Sequence, residues 1–505
     1  MSNLDPVKMN EYNRKCCLPT TRLDVIKSIS DWITDESTER KNVLWLYGLA
    51  GSGKSTLSTT IAWMMRDLHR LGGFFFFDHD IPERNSATLV RTLAYQLALL
   101  DTRIGDAISQ IVEKNPRIAE MPLDFQITNL LSAKAMEPVV WSEGPIVLVV
   151  DALDESGSHE HRKDLLKALS NNFHNLPSFV RFIVVSRHES DIERTFGSHS
   201  AVHPYPLDID SATNHGDILE FVRQRLDQIR TENDLGSNWP GDDNIGALAK
   251  GAGGLFVWAS TACLYIDGYN PDGRLKELIT QHSVINFSKP FAQLDDLYKT
   301  GLQSAGLWDD PSFRSDCRDI LGVVLCARIP LSYAVIDSLL ELSQNRPCRR
   351  SILRLACVFR TGETEGIRIL HPSFHDYLSE RCSIEPWSID LELHNKMLTL
   401  HCIKLLDTEL KENILGLTLP HPVENQTLPE ALSYACRFWV DHICLISCGI
   451  DDIADLVYNF LCRHLPHWME ALAILNCHDL TIRSLQNLLA LLKVCFPAFL
   501  LSACD

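Results

Sequence analysis

The 505-residue chain has no CxxC pair, no NKxD tetrapeptide and no apolar core in its N-terminal stretch MSNLDPVKMNEYNRK. The first absence excludes a zinc ribbon or a thioredoxin-type redox site. The second argues against a Ras-like GTPase, since Asn395-Lys396 is followed by Met397-Leu398, far from any suitable strand. The third excludes a secretory signal. Basic charge is also scarce: 47 Lys+Arg stand against 65 Asp+Glu, for a net charge of −18. Affinity for DNA or RNA comes largely from neutralising phosphates, so nucleic acid is not an expected partner, and an anionic ligand needs a local arrangement. The 16 cysteines are Cys16, Cys17 and fourteen scattered from Cys263 onward. They read as reduced thiols buried like small hydrophobes in a cytoplasmic protein. A long hydrophobic run is missing too. Leu488 to Cys504 is apolar except for Lys493, Pro497 and Ser502. That is short of the ~20 residues that span a bilayer, and it reads as a packing helix rather than a membrane anchor.

What is present is ordinary globular material, 45% hydrophobic and 22% charged, at a length that suggests about three domains. In residues 20–33, Leu23, Ile26, Ile29 and Ile33 share one face behind a Thr cap, which predicts an amphipathic helix. Apolar runs at 42–48, 72–80, 145–151 and 180–187, with a weaker one at 202–208, read as strands, and helical patterns run to about Leu71 and across 86–137. Strands covered on both faces and alternating with helices imply a doubly wound α/β domain with a parallel sheet over 41–210. The N-terminal segment 1–40 precedes it. Beyond Asp210 the pattern is helical over 211–285. Three helical stretches and a two-strand signal (355–360 and 367–370) then form a winged-helix pattern over 286–385, and 386–505 reads as all helical. No repeat of 20–50 residues appears.

The strongest local signal is GLAGSGKST, residues 48–56, between a strand and a helix. It satisfies the P-loop pattern in its required context. Gly48, Gly51 and Gly53 permit turns that aim backbone N–H groups, with that of Ser52, at phosphate oxygens. The helix beginning near Lys54 adds its positive end. Lys54 supplies a full charge to the β- and γ-phosphates, the Ser55 hydroxyl reaches Mg2+, and Thr56 completes the motif. The acidic partner for the metal is expected at the end of IVLVVDALDES (146–156), where Asp151 would hold Mg2+ through water. Asp154 or Glu155, just beyond, would polarise the attacking water. Arg187, at the end of the next strand, can reach a γ-phosphate.

GLAGSGKST, VLVVDALDES and FIVVSRHES together resemble a NACHT domain of the STAND class of P-loop NTPases. The likeness continues through GGLFVWASTACLYI (253–266), ILHPSFHDYLS (369–379) and YACRFWVDHI (434–443), and is nearest to the core of fungal NOD-like receptors over about 16–475. The resemblance implies a cytoplasmic switch. ADP would be held between the P-loop, helical and winged-helix domains, and exchange for ATP would open them to form a homo-oligomer, in innate-immunity or heterokaryon-incompatibility-like signalling. It implies that His371 touches the β-phosphate of ADP and that Thr21 and Arg22 contact nucleotide upstream of the first strand. Many relatives have GLP in the helical domain where this chain has Gly254-Leu255-Phe256, which leaves GTP open beside ATP/ADP. The chain reads as the switch without its input or output modules.

The winged-helix pattern over 286–380 carries 11 Lys+Arg against 12 Asp+Glu, a net −1, where a DNA-reading module needs a basic face. It is therefore expected to be a regulatory lid. The alternatives are a conventional metabolic P-loop ATPase or kinase, for which no acceptor pocket or lid is legible, and a nucleotide-binding scaffold without turnover.

Overall fold

The computed structural model describes the chain except for residue 1 and residues 10–13, 38–40, 79–80, 158, 283–289, 307, 343–345, 356–357, 363–365, 416–427, 448–450 and 496–505. It divides into two compact units, Met1–Leu297 and Tyr298–Asp505.

The first unit is built on five parallel strands: β1 (Val43–Tyr47), β2 (Leu71–Phe76), β3 (Ile146–Asp151), β4 (Val180–Ser186) and β5 (Val202–Pro206). Their order across the sheet is β2-β3-β4-β1-β5. β1 to β4 are buried because each is covered on both faces, while the edge strand β5 is buried only at Val202. Val43, Trp45, Phe75, Leu148, Val150, Phe182 and Val184 pack on one side. The covering helices there are α3 (Ser86–Leu100), α4 (Thr102–Lys114), α5 (Leu123–Leu130), α6 (His159–Asn172) and α7 (Ser190–Phe196). The alternate residues Leu44, Leu46, Phe74, Phe76, Val147, Val149, Ile183 and Val185 pack on the other side, against α1 (Leu23–Thr34) and α2 (Lys54–Asp67). The period-2 alternation of strand side chains sorts them between two apolar cores.

Several boundaries differ from expectation, each for a local reason. Helix α2 stops at Asp67, short of Leu71, because His69 adopts φ 54° and Arg70 N–H bonds back to Met65 at 2.8 Å. A left-handed residue with a return hydrogen bond is a normal helix stop, and it lets β2 begin at Leu71. β2 ends at Phe76, and the rest of its expected span includes residues outside the description. Helix α1 has no Thr cap: Arg22 stands at the N-cap with φ 61°, and Thr21 Oγ1 donates back to Leu18 O at 3.0 Å. Only Ile29 and Ile33 of its apolar face are buried, while Leu23 is exposed.

Helices α8 (Ala212–Glu232), α9 (Asp242–Gly251), α10 (Phe256–Ile266) and α11 (Pro271–His282) complete this unit. Buried Asn214 ties them to the sheet by donating to Ile209 O at 2.6 Å and Gly254 O at 2.9 Å. Gly254 is at φ +81°, and a Cβ there would lie 2.3 Å from Ile209 O. The glycine is required both by backbone conformation and by space.

Helix α12 (Pro290–Ala305) contains the unit boundary, and α13 (Pro311–Cys326), α14 (Tyr333–Leu339) and α15 (Cys348–Arg354) follow. An antiparallel hairpin, β6 (Phe359–Gly362) and β7 (Gly366–Ile369), comes next. β6 starts four residues later than expected because α15 runs to Arg354 and Leu355 caps it. The remainder is α16 (Pro372–Asp376), α17 (Leu391–Glu409), α18 (Glu430–Ile443), α19 (Asp451–Ile474) and α20 (His478–Cys495). In α18, Tyr434 and His442 bond each other at 2.8 Å, and His442 reaches Asn395 of α17 at 2.8 Å. YACRFWVDHI therefore supplies the buried face of a helix pair, with Tyr434, His442 and Asn395 hydrogen-bonded inside it. Cys263, Cys317, Cys326, Cys348, Cys382, Cys402 and Cys436 are buried and free as expected, but Cys16, Cys444 and Cys462 are exposed. The apolar stretch 488–504 is helical to Cys495, and the rest lies outside the described residues. Among those described, no helix is long and apolar enough to cross a membrane.

Replacing Gly254 with Ala forces a positive-φ side chain into the Ile209 carbonyl. The expected loss is ~2 kcal/mol or more, read as a lower urea midpoint; an unaltered midpoint would show that the junction yields without cost.

Candidate functional site

Chain reversal from β1 into α2 builds the loop. Gly51 (φ 78°) and Gly53 (φ 90°) occupy the left-handed region, and Gly53 is the N-cap of α2 with no side-chain cap. The first-turn N–H groups therefore keep the partial positive charge that attracts anions. Gly48 is not in the left-handed region; a Cβ there would lie 3.2 Å from Leu207, a tight approach. Ser52 is fully buried, with a hydroxyl that has no hydrogen-bond partner. Ser55 is exposed at the start of α2, and Thr56, half-buried beside it, accepts from Thr60 Oγ1 at 2.8 Å through its carbonyl.

Lys54 is 8% exposed, and its Nζ donates to the carbonyls of Gly48 (2.9 Å) and Leu49 (2.8 Å). Burial pushes its ammonium down to about 8 against the pull of Asp154 and Asp151. Protonated at neutral pH, it is a desolvated cation bonded only to neutral oxygens, an arrangement that an anion would relieve.

The sheet order places β4 between β1 and β3, so Arg187 emerges between the loop and Asp151. Asp151 is completely buried at the end of β3, with Oδ1 unpartnered. Its Oδ2 accepts from Arg14 Nη2, a contact that local sequence pattern did not reveal. The small residue after Asp151 has a backbone reason: Ala152 sits at φ 56°, where a larger or branched side chain is strained. Asp154 is committed to Arg187, accepting its backbone N–H at 2.9 Å and pairing with its Nε at 3.2 Å. Burial, with Asp154 and Asp78 nearby, pushes the Glu155 carboxyl up to about 8.

Arg22 is brought to the loop. It is buried, donates to Ser52 O at 2.6 Å, and stacks on Phe256 with its guanidinium carbon 4.8 Å from the ring centroid. Burial lowers its pKa while Asp217 opposes this, and an arginine remains charged regardless. Thr21 is buried beside it but spends its hydroxyl on Leu18. Phe256 occupies the place where many relatives of the resembled family have Pro. Its ring lies 3.7 Å from where a Gly53 Cβ would stand, and the next N–H, of Val257, bonds Gly51 O at 3.0 Å. His371 belongs to the second unit, where it is the N-cap of α16. Its Nδ1 accepts from Ser373 N at 3.1 Å and lies 2.7 Å from Ser373 Oγ, which meets the Tyr298 hydroxyl at 2.8 Å.

A magnesium ion fits these residues. The orphaned, buried Asp151 Oδ1 and the exposed Ser55 hydroxyl are hard oxygen donors of the type Mg2+ takes. Residues 25–187 match the family model "Nephrocystin 3, N-terminal". This segment is a NACHT-like P-loop NTPase domain. No curated protein sequence matches the chain. Among solved structures, the chain carrying this NACHT-like domain is similar to a STAND protein with a tetratricopeptide repeat sensor from Pyrococcus horikoshii (12% identity, TM-score 0.44). That alignment covers 95% of this chain and 60% of the other, so the chain spans less than two thirds of that relative. It is also similar to Drosophila ORC, solved bound to DNA (12% identity, 68% and 89% coverage, TM-score 0.35). Thermotoga maritima RuvB is a further neighbour (14% identity, 70% and 93% coverage, TM-score 0.26).

The raised Glu155 pKa has a consequence for stability. The folded protein holds this proton up to about 8 and an unfolded carboxyl only to about 4.5, so the contribution is present below 4.5 and is lost as pH rises through 8. Glu155→Gln, which imitates the protonated form, is expected to match the parent Tm at pH 5 and exceed it by ~2 °C or more at pH 8.5. A Tm difference independent of pH would contradict the assignment.

Proposed function

We propose that the chain is a nucleotide-dependent switch that binds ATP or ADP with Mg2+ and turns ATP over slowly. The observation that carries this reading is the buried Lys54 ammonium, bonded to two loop carbonyls at the uncapped start of α2. Lys54 and the N–H groups of residues 51–56 would grip the β- and γ-phosphates. Ser55 and Asp151 would hold Mg2+, which would neutralise phosphate charge when bound. Slow turnover follows from the carboxylates: Asp154 is engaged by Arg187, and Glu155 stays protonated at neutral pH, so neither is a ready base.

Switching requires differential binding. Moving a two-state equilibrium from 1:99 to 99:1 takes ~5.5 kcal/mol, more than one ion pair supplies. Exchange of Arg187 from Asp154 to the γ-phosphate is proposed as one contribution. Loss of a contact from His371 to ADP is proposed as another, with the segment 286–385 acting as a winged-helix lid. Opening would then permit self-assembly. Signalling of the innate-immunity or heterokaryon-incompatibility kind is the setting that the family resemblance proposes.

Mass identification of nucleotide carried through purification is the direct test. Lys54→Ala is expected to lose bound nucleotide, with affinity falling ~100-fold or more, while the circular dichroism spectrum stays unchanged. Equal nucleotide occupancy in parent and variant overturns the site. His371→Ala is expected to speed ADP release and increase self-association on gel filtration; an unchanged ADP off-rate removes His371 from the mechanism.

A further inference from the structure

The segment preceding α1 is held against the metal side of the phosphate loop. Arg14 Nη2 donates to Asp151 Oδ2 and, at 3.5 Å, to the carbonyl of Ser55, while its Nε donates to Thr59 Oγ1 at 3.0 Å. The guanidinium carbon lies 4.3 Å from the centroid of Phe76, at the end of β2. Three residues later, Cys17 N–H bonds Thr60 Oγ1 at 2.8 Å, fastening the same segment to α2 a turn further along. One cationic side chain thus spans the end of β3 and the first turn of α2, the two places from which Asp151 and Ser55 would hold a metal. It satisfies that place incompletely, since the second Asp151 oxygen is buried without a partner.

We propose that Arg14 is a tethered cation that holds the Asp151 carboxylate in the magnesium-free protein, and that loading of the metal–nucleotide displaces it and frees residues 14–18 from α2. This rests on the nucleotide-site reading above and deepens it. With its guanidinium on Asp151 Oδ2 and at the Ser55 carbonyl, Arg14 sets a positive charge beside the oxygens that would hold the ion, and the repulsion between the two cations favours departure of the tethered one. The displaced side chain has somewhere to go, because Arg14 is already 21% exposed and Lys15 and Cys16 beside it are exposed. The site would then report its metal to the N-terminal segment. Occupancy of the phosphate loop alone, which Lys54 governs, would leave that segment in place.

The test uses the full chain, mant-ADP as the fluorescent nucleotide, and limited trypsin cleavage after Arg14 or Lys15 as the readout of segment release. In the native protein, adding Mg2+ to the mant-ADP complex is expected to speed this cleavage about ten-fold over the complex in EDTA. Arg14→Ala and Arg14→Gln are expected to be cut rapidly after Lys15 in both conditions. The Mg2+ concentration that half-saturates the nucleotide response should fall about ten-fold in both, the scale of one charge-assisted hydrogen bond. Circular dichroism confirms that the variants are folded, and the glutamine variant separates loss of charge from loss of side-chain bulk. Tight mant-ADP binding with the same Mg2+ midpoint in parent and variants, and cleavage indifferent to Mg2+, overturns the role of Arg14 while leaving the nucleotide site standing. Failure of the native protein to bind mant-ADP in either condition overturns both.

Discussion

A buried ammonium held by neutral carbonyls is the constraint on which the site depends. Lys54 is removed from water, yet its bonds run to Gly48 and Leu49, not to a carboxylate. Burying a charge in this way is unfavourable unless something repays it, and the lowered pKa is the signature of that cost. The arrangement persists because Lys54 opens a helix whose other residues, Leu57, Ile61 and Met65, are locked into the core on one side of the sheet. Packing of α2 thereby holds a cation where an anion belongs.

Around that cation the negative groups are arranged so that none of them is idle. Asp151 meets Arg14, Asp154 meets Arg187, and Glu155 keeps its proton. In the reading proposed above, a divalent ion would compete with Arg14 for Asp151, and a polyphosphate would compete with Asp154 for Arg187. Such exchange gives a site two electrostatic states without large motion in the sheet, and differential contacts of this kind are what a switch needs. The helical segment after β5 is tied into the same unit: Arg22 joins the loop to Phe256, and Val257 joins α10 to Gly51.

Much of this was legible in the residues. Alternation and apolar runs located all five strands of the sheet to within a few positions, since a strand covered on both faces has little compositional freedom. The glycine pattern located the tight turn between β1 and α2, because few other sequences can turn a strand into an uncapped helix. What escaped were features created by distant segments. Nothing near Arg14 marks it, for its meaning comes from Asp151, 137 residues away. The stop of α2 before Leu71 turned on His69 adopting a left-handed conformation that a histidine seldom reveals in advance. The departure Gly254-Leu255-Phe256 was visible, but its consequence, an aromatic ring stacked on Arg22 beside Gly53, was not.

The amino-acid order by itself determined the local pieces: which runs are strands, where the loop of bare amides lies, and which lysine sits within it. These follow from short-range sterics and from the periodicity of burial, both written in neighbouring residues. Only the tertiary structure decided the strand order that sets Arg187 between the loop and Asp151, the pairing of each carboxylate with its cation, and the pKa values that follow. Those depend on distances across the chain and on exclusion of water, and neither exists until the sheet is assembled and covered.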